Sequence, residues 1–217
     1  MWCEANDSYS QPQPTNDQRA ADERARLPPA ARQTAVTPTP SGPHADRSPA
    51  AQIRYWIGEE RTRLLNAVDG LTEDQAREPM QPGDWSAHDV LAHRLFWERS
   101  EVEAIGQYLL GKRIELLDFP VKRVDGANRG AVQTLRSQPT EQIIRELAIT
   151  RAALQQFLDR IRDDELDDPG NDARTILGIA LEHDREHAAQ INEWRRRRSS
   201  TESGPRSPTP PVERNDR

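Results

Sequence analysis

The amino-acid sequence predicts an all-α fold, a four-helix bundle flanked by disordered N- and C-terminal tails. Large apolar residues recur every three or four positions in four long segments between residues 51 and 198. This is the period of a helix with one buried face. No segment alternates apolar and polar residues between hairpin turns, so β-strands are not expected. Four long helices in a segment of this length make one bundle domain.

The first half of the predicted bundle contains two long helices. The first helix carries a single apolar stripe formed by Ile53, Ile57, Leu64, Val68 and Leu71. Thr72 and Gln75 have the spacing of a capping box and predict a short extra turn. Ser86 and Asp89 predict the start of the second long helix, which runs to about Gly111. Its buried face is predicted to contain Val90, His93, Phe96 and Trp97.

The second half repeats this pattern after a short helix predicted near residues 127–137. Pro139 occupies a first-turn position and opens the third long helix, whose apolar stripe is Ile143, Leu147, Leu154, Leu158 and Ile161. The fourth long helix follows Pro169 and Gly170, and its stripe is Ile176, Ala180, His183, His187, Gln190 and Trp194. In each half a helix, an acidic turn and a loop precede a histidine-bearing helix. A two-fold arrangement of these halves would bring the second and fourth long helices together.

Both ends of the chain are too polar to fold. Residues 1–50 contain eight of the 17 prolines and almost no large apolar side chains, and residues 199–217 have a similar composition. Such segments cannot bury enough apolar surface to offset the entropy of ordering them. We therefore predict a disordered Pro-rich tail over 1–50, the bundle over 51–198 and a second disordered tail over 199–217.

Composition limits the compartment and the partners. No apolar stretch resembles a signal peptide or approaches the length of a membrane span, which predicts a cytoplasmic protein with no membrane partner. The single cysteine, Cys3, excludes an internal disulfide and a cysteine-rich zinc site. A net charge of -6 with mixed signs predicts that nucleic acid is not a partner. The basic run Arg195–Arg198 is expected to favour the negative end of the last helix dipole, with a nucleic-acid or membrane contact as the alternative.

Three histidines form the candidate functional site. His183 and His187 are four residues apart, so both imidazoles lie on one face of a helix. His93 lies on the buried face of the second helix and would complete a three-nitrogen metal site with open coordination positions. A buried histidine with an ordinary structural role is the alternative for each one. His88 lies about 140° around the helix from His93 and is left out.

Four other residues have candidate roles near these histidines. Asp184 and Glu186 could accept imidazole N–H bonds or transfer protons, although solvated positions beside the inward stripe are expected for both. Trp97, one turn after His93, is the best candidate to line a pocket. Asn128 could orient a substrate or could cap a helix start. No residue is assigned a catalytic role at this stage.

The chain resembles the DinB-like four-helix-bundle superfamily over about residues 51–195. The resemblance is carried by the segment from Gly83 through Trp85-Ser86 to His93, by Trp97-Glu98, and by the late motif from His183 through His187 to Ile191. Val124 to Asn128 resembles a polar element of the ClbS/DfsB-type branch. In the mycothiol-dependent branch a carboxylate is more common at the position of His183, so the nearest branches are the ClbS/DfsB-type and bacillithiol S-transferase-like proteins.

The resemblance implies a divalent metal, zinc or nickel, held by His93, His183 and His187. It also implies a small-molecule substrate and a low-molecular-weight thiol as cosubstrate, and it is compatible with a homodimer. Such an ion lowers the pKa of a bound thiol or water. We therefore expect a metal-dependent thiol S-transferase or hydrolase acting on small electrophiles. The alternative is a non-catalytic bundle that binds metal or serves a stress-response or sequestering role.

Overall fold

The computed structural model describes residues 47–81 and 84–202. Four long helices form a bundle: α1 (Pro49–Val68), α3 (Ala87–Leu109), α5 (Thr140–Leu158) and α7 (Asp172–Glu202). Three shorter helices, α2 (Glu73–Arg77), α4 (Val121–Leu135) and α6 (Asp163–Asp167), and a 3-10 helix (Glu115–Asp118) connect them. The described residues contain no β-strand, only a bridge between Pro79 and Ser86. The all-α, four-helix prediction is confirmed.

Contacts at the helix ends show that α1 and α7 run in the same direction. The Ala50 amide, in the first turn of α1, donates to Asp167 Oδ1 just before α7, at 2.8 Å. At the opposite end, Arg195 Nη1 of α7 donates to the carbonyl oxygens of Ala67 and Asp69, at 2.9 and 2.8 Å. Arg195 therefore caps the C-terminal end of α1. The sequence predicted instead that the basic run Arg195–Arg198 interacts with the negative dipole end of its own helix.

Helices α3 and α5 also share a direction, opposite to that of α1 and α7. His88 Nδ1 near the start of α3 lies 2.9 Å from Thr140 Oγ1 at the start of α5. The 3-10 helix and α4 return the chain from the end of α3 to that same end of the bundle. Helix α3 packs against both α5 and α7. The predicted pairing of the two histidine-bearing helices is therefore present.

Helix α4 differs from its prediction. It spans Val121–Leu135, whereas the sequence indicated a short helix near 127–137. Gly126 and Gly130 weaken the helix propensity of this segment, and they interrupt the apolar period from which a helix is predicted. The helix nevertheless buries Asn128, Ala131 and Leu135 along one face, and it contacts α3. Tertiary packing therefore extends a helix that local propensity does not predict.

The predicted tails lie largely outside the described residues. Cys3 lies there too. Where the prediction and the described residues overlap, the chain is helical: Ser48 caps α1, Ala50 is fully buried, and α7 continues to Glu202. None of the described helices is long and apolar enough to cross a membrane.

A layer of buried charged side chains divides the apolar core into two clusters. One cluster contains Ile53, Ile57, Ile105, Leu154 and Leu177, and the other contains Leu64, Leu91, Leu95, Leu147 and Ile191. Between them, each long helix contributes at least one buried acidic or basic side chain. The layer consists of Arg61 on α1, Arg94, Glu98 and Glu101 on α3, Arg151 on α5 and Asp184 on α7. The layer thus contains three arginines and three acidic residues.

Asp184 occupies the centre of this buried ionic layer. Its carboxylate accepts from Arg61 Nε at 3.1 Å, Arg94 Nε at 2.6 Å and Arg151 Nη2 at 2.7 Å. Burial alone would raise the pKa of Asp184, but the three arginines hold it below its usual range. The prediction of a solvated Asp184 is wrong, because this side chain is fully buried and points into the bundle.

The remaining contacts join the layer across α1, α3 and α5. Glu98 pairs with Arg61 Nη1 at 3.0 Å and with Arg151 Nε at 2.6 Å. Glu101 pairs with Arg94 Nη2 at 2.7 Å along α3. Removing one partner from such a layer leaves an uncompensated charge in a medium that solvates it poorly. The layer therefore makes the bundle sensitive to single charge deletions.

We predict that Arg151→Met lowers the free energy of unfolding by about 3 kcal/mol, because Glu98 and Asp184 each lose a buried partner. Urea unfolding followed by circular dichroism measures this loss. Arg145→Met is the matched control on the same helix, since Arg145 pairs with Glu141 at the surface and exposed pairs contribute little. Equal losses in the two variants would contradict the ionic layer as a source of stability.

Candidate metal centre

The structure brings His93, His183 and His187 together inside the bundle. His93 projects from α3, and His183 and His187 project from one face of α7. His93 Nε2 lies 2.9 Å from His183 Nε2, and the three residues offer ring nitrogens that all lie within 4.8 Å of one another. All three side chains are buried. The sequence argument for their convergence therefore holds geometrically.

Burial keeps the three imidazoles neutral. It lowers the pKa of His93 and of His183 well below the ordinary value, with a further lowering from the neighbouring histidines. Burial also lowers the pKa of His187 to about 4. Neutral imidazoles carry a lone pair on one ring nitrogen, which is the form that binds a metal.

Hydrogen bonding assigns the free nitrogen of His187. His187 Nδ1 lies 3.2 Å from Gln190 Oε1, and a carbonyl oxygen can only accept, so the Nδ1 position carries the proton. His187 Nε2 then holds the lone pair, and it has no hydrogen-bond partner among the described residues. Gln190, predicted only as a stripe residue, therefore orients this ring.

The Nε2 atoms of His93 and His183 face each other at a distance at which both can bind one cation. At 2.9 Å, either one Nε2 carries a proton and donates it to the other, or both hold lone pairs that repel each other unless a cation lies between them. Three neutral imidazole nitrogens suit a divalent transition metal such as zinc or nickel, and they leave coordination positions open. The residues present thus fit the metal that the sequence resemblance implied.

Aromatic side chains surround His93. The Trp85 ring lies 4.8 Å from the His93 ring, and the Trp97 ring lies 6.4 Å from it on another side. Trp97 packs edge-on against Phe119, with ring centroids 5.5 Å apart. Trp97 Nε1 donates to Asn128 Oδ1 at 2.8 Å, which fixes the indole beside the histidine. This side of the site is therefore apolar and rigid.

Asn128 has a different position from either predicted role. It lies in the middle of α4, buried against α3, and does not cap a helix start. Sequence reasoning missed this contact because the two glycines of α4 obscured the helix that carries Asn128. Its side chain accepts from Trp97 Nε1 and also interacts with His93, whose pKa is lowered by burial and raised by this interaction, so Asn128 contacts an aromatic ring and a histidine of the site.

The acidic neighbours of the histidine pair have separate environments. Asp184 is engaged by three arginines, so none of its described hydrogen bonds comes from an imidazole. Glu186 is half-buried, and burial together with nearby Glu182 raises the pKa of its carboxyl group. A solvated position was predicted for both Asp184 and Glu186, and only Glu186 is even partly exposed to solvent.

His88 lies apart from this cluster, as its angle on the helix predicted. It is buried, and its Nδ1 contacts Thr140 Oγ1. The backbone amide of Thr140 in turn donates to the Glu73 carboxylate. His88 thus joins the start of α3 to the start of α5, which makes it a useful buried control for the three site histidines.

Comparison with solved structures shows the same fold at low sequence identity. An uncharacterised protein from Escherichia coli UTI89 aligns with a TM-score of 0.61 and 13% identity, over 69% of this chain and 94% of that chain. DfsB, described as a sibling lethal factor precursor, aligns with a TM-score of 0.60 and 14% identity, over 69% and 96%. No protein with a curated description matches the chain in sequence.

A third solved structure corrects the predicted partners. The colibactin self-resistance protein ClbS, solved in complex with double-stranded DNA, aligns with a TM-score of 0.59 and 15% identity, over 67% of this chain and 94% of that chain. The prediction that nucleic acid is not a partner, which was based on net charge, is wrong. A bundle of this fold binds DNA, so net charge and charge mixing cannot exclude it.

The sequence comparison identifies the family directly. A profile of the DinB superfamily matches residues 57–191, which include α3, α5, parts of α1 and α7, and the three site histidines. ClbS and DfsB are DinB-like proteins, in agreement with the resemblance seen in the sequence. The chain belongs to the DinB superfamily.

Proposed function

We propose that His93, His183 and His187 hold one divalent metal ion, and that the chain is a metal-dependent enzyme acting on small electrophiles as a thiol S-transferase or a hydrolase. The observation that carries this proposal is the convergence of three buried, neutral imidazoles, each with a ring nitrogen within 4.8 Å of the others. Zinc and nickel are the ions that suit three imidazole ligands.

The donor set favours a reactive ion over a purely structural one. Structural zinc sites are closed by four protein ligands, whereas three protein ligands leave a position for an exchangeable group. When bound here, the ion would lower the pKa of a thiol or water that enters this position. Neutral histidines leave the full positive charge of the ion available for that effect.

The residues around the histidines support small apolar electrophiles as substrates. Trp85, Trp97 and Phe119 supply apolar ring surface beside His93. Asn128 holds the Trp97 indole in place, so the aromatic wall is preorganised and does not need to collapse around a ligand. The three histidines are buried, and removal of bulk water strengthens electrostatic interactions at the site.

A second candidate function is supported by the resemblance to ClbS. That protein is described as a self-resistance protein, and its fold is shared by this chain. We therefore retain a non-catalytic, sequestering or stress-response role as the alternative, in which the same aromatic and histidine-lined site would hold a reactive small molecule without turning it over. The two functions differ in turnover, not in the metal site.

Metal content tests the histidine site. We predict that wild-type protein loaded with Zn²⁺ or Ni²⁺ and desalted retains about one ion per chain. His93→Ala, His183→Ala and His187→Ala should each lose it, because two ligands hold such ions poorly. His88→Ala should retain it, since His88 is buried but lies outside the cluster. Plasma mass spectrometry gives the stoichiometry, and equal metal content in all five proteins would rule out the site.

Turnover separates the two functions. We predict that metal-loaded wild-type protein accelerates the reaction of a small thiol such as 2-mercaptoethanol with a chromogenic electrophile such as 1-chloro-2,4-dinitrobenzene, because the ion lowers the pKa of the thiol. His187→Ala should show only the uncatalysed rate, whereas His88→Ala should retain the wild-type rate. Metal binding without acceleration of either thiol transfer or hydrolysis would favour the sequestering role.

A further inference from the structure

Two contacts between α3 and α7 lie side by side at the candidate metal centre. His93 and Arg94 are consecutive on α3, and His183 and Asp184 are consecutive on α7. His93 Nε2 lies 2.9 Å from His183 Nε2, and Arg94 Nε lies 2.6 Å from Asp184 Oδ1. The same pair of helices is therefore joined by a contact between two histidines and by an ion pair between the residues that follow them in sequence.

Both members of the ion pair are held by additional partners. Arg94 is fully buried and its Nη2 donates to Glu101 Oε2 at 2.7 Å, two turns along α3. Asp184 also receives hydrogen bonds from Arg61 on α1 and Arg151 on α5. Asp184 is thus bonded to arginine side chains of all three other long helices. A sliding movement of α3 would therefore break a buried hydrogen bond between Arg94 and Asp184.

We propose that Asp184 is a positioning residue, whose ion pair with Arg94 sets the register of α3 against α7 and thereby holds His93 opposite His183. This inference rests on the proposed metal site. A shift of one residue along a helix moves a side chain by about 1.5 Å, which exceeds the tolerance of a metal–nitrogen bond. The register of the two helices therefore determines whether three ligands or only two can reach one ion.

The other carboxylates of the ionic layer do not join α3 to α7. Glu98 pairs with Arg61 on α1 and with Arg151 on α5. Glu101 pairs with Arg94 within α3. Glu101 therefore offers a matched control: it is buried, it belongs to the same ionic layer and it contacts the same arginine, but its loss leaves the contact between Arg94 and Asp184 in place.

The test compares Asp184→Asn and Glu101→Gln in the full chain, with Co²⁺ as the probe. Both substitutions replace a buried carboxylate with an amide, so both should lower the melting temperature. Asp184→Asn should weaken Co²⁺ binding by about tenfold to a hundredfold and should change the visible absorption of the saturated protein. Glu101→Gln should bind within about twofold of wild type and should keep the wild-type spectrum.

Arg94→Lys provides the same comparison if Asp184→Asn fails to fold. A lysine keeps the charge but lacks the fork that lets Arg94 contact Asp184 and Glu101 together, so weaker binding of about tenfold is expected. Wild-type affinity and spectrum in Asp184→Asn, or in Arg94→Lys where Asp184→Asn does not fold, would overturn the inference. So would an equal loss of affinity in Glu101→Gln.

The outcome also separates this inference from the proposed metal site. Wild-type protein that binds Co²⁺ while Asp184→Asn binds equally well contradicts only the role of Asp184. Wild-type protein that binds no Co²⁺ contradicts the metal site and, with it, the positioning role. A loss of affinity in Asp184→Asn with a wild-type spectrum at saturation would show that the ionic layer acts through stability alone, which also overturns the inference.

Discussion

The desolvated carboxylate of Asp184 constrains the rest of this bundle. A charge in an apolar core is stable only when partners surround it, and here those partners come from α1, α3 and α5. Each long helix must therefore hold one angular orientation and one axial position to complete the ionic layer. Removal of any one of these partners leaves a buried charge without compensation, so the layer constrains how the four helices fit together.

The candidate metal centre lies directly beside this layer. His183 and Asp184 are neighbours on α7, and His93 and Arg94 are neighbours on α3. The core is apolar on both sides of this level, because Ile57, Leu154 and Leu177 fill it on one side and Leu91, Leu147 and Ile191 fill it on the other. A site that needs three aligned imidazoles is thus built where the relative positions of the helices are most strongly determined.

Much of the site was predictable because its signal is local. The four-residue spacing of His183 and His187, and the apolar residues around His93, each place a side chain on one helix face. The ionic layer has a comparable signal, since Arg61 and Arg151 fall within the apolar stripes of α1 and α5. The sequence nevertheless predicted a solvated Asp184, because charged side chains usually lie at the surface of a protein. Asn128 had no usable signal, because the glycines of α4 concealed the helix that buries it against α3.

The sequence by itself determined the four long helices, the capping boxes at Thr72 and Ser86, the four-helix architecture and the three candidate histidines, because helical period and capping are read from residues a few positions apart. Only the tertiary structure decided the partners. The pairing of Asp184 with three arginines, the orientation of His187 by Gln190 and the contact between Trp97 and Asn128 join helices or fix side-chain rotamers. Such contacts depend on how helices cross and in which direction they run, and no local pattern in the chain encodes that choice.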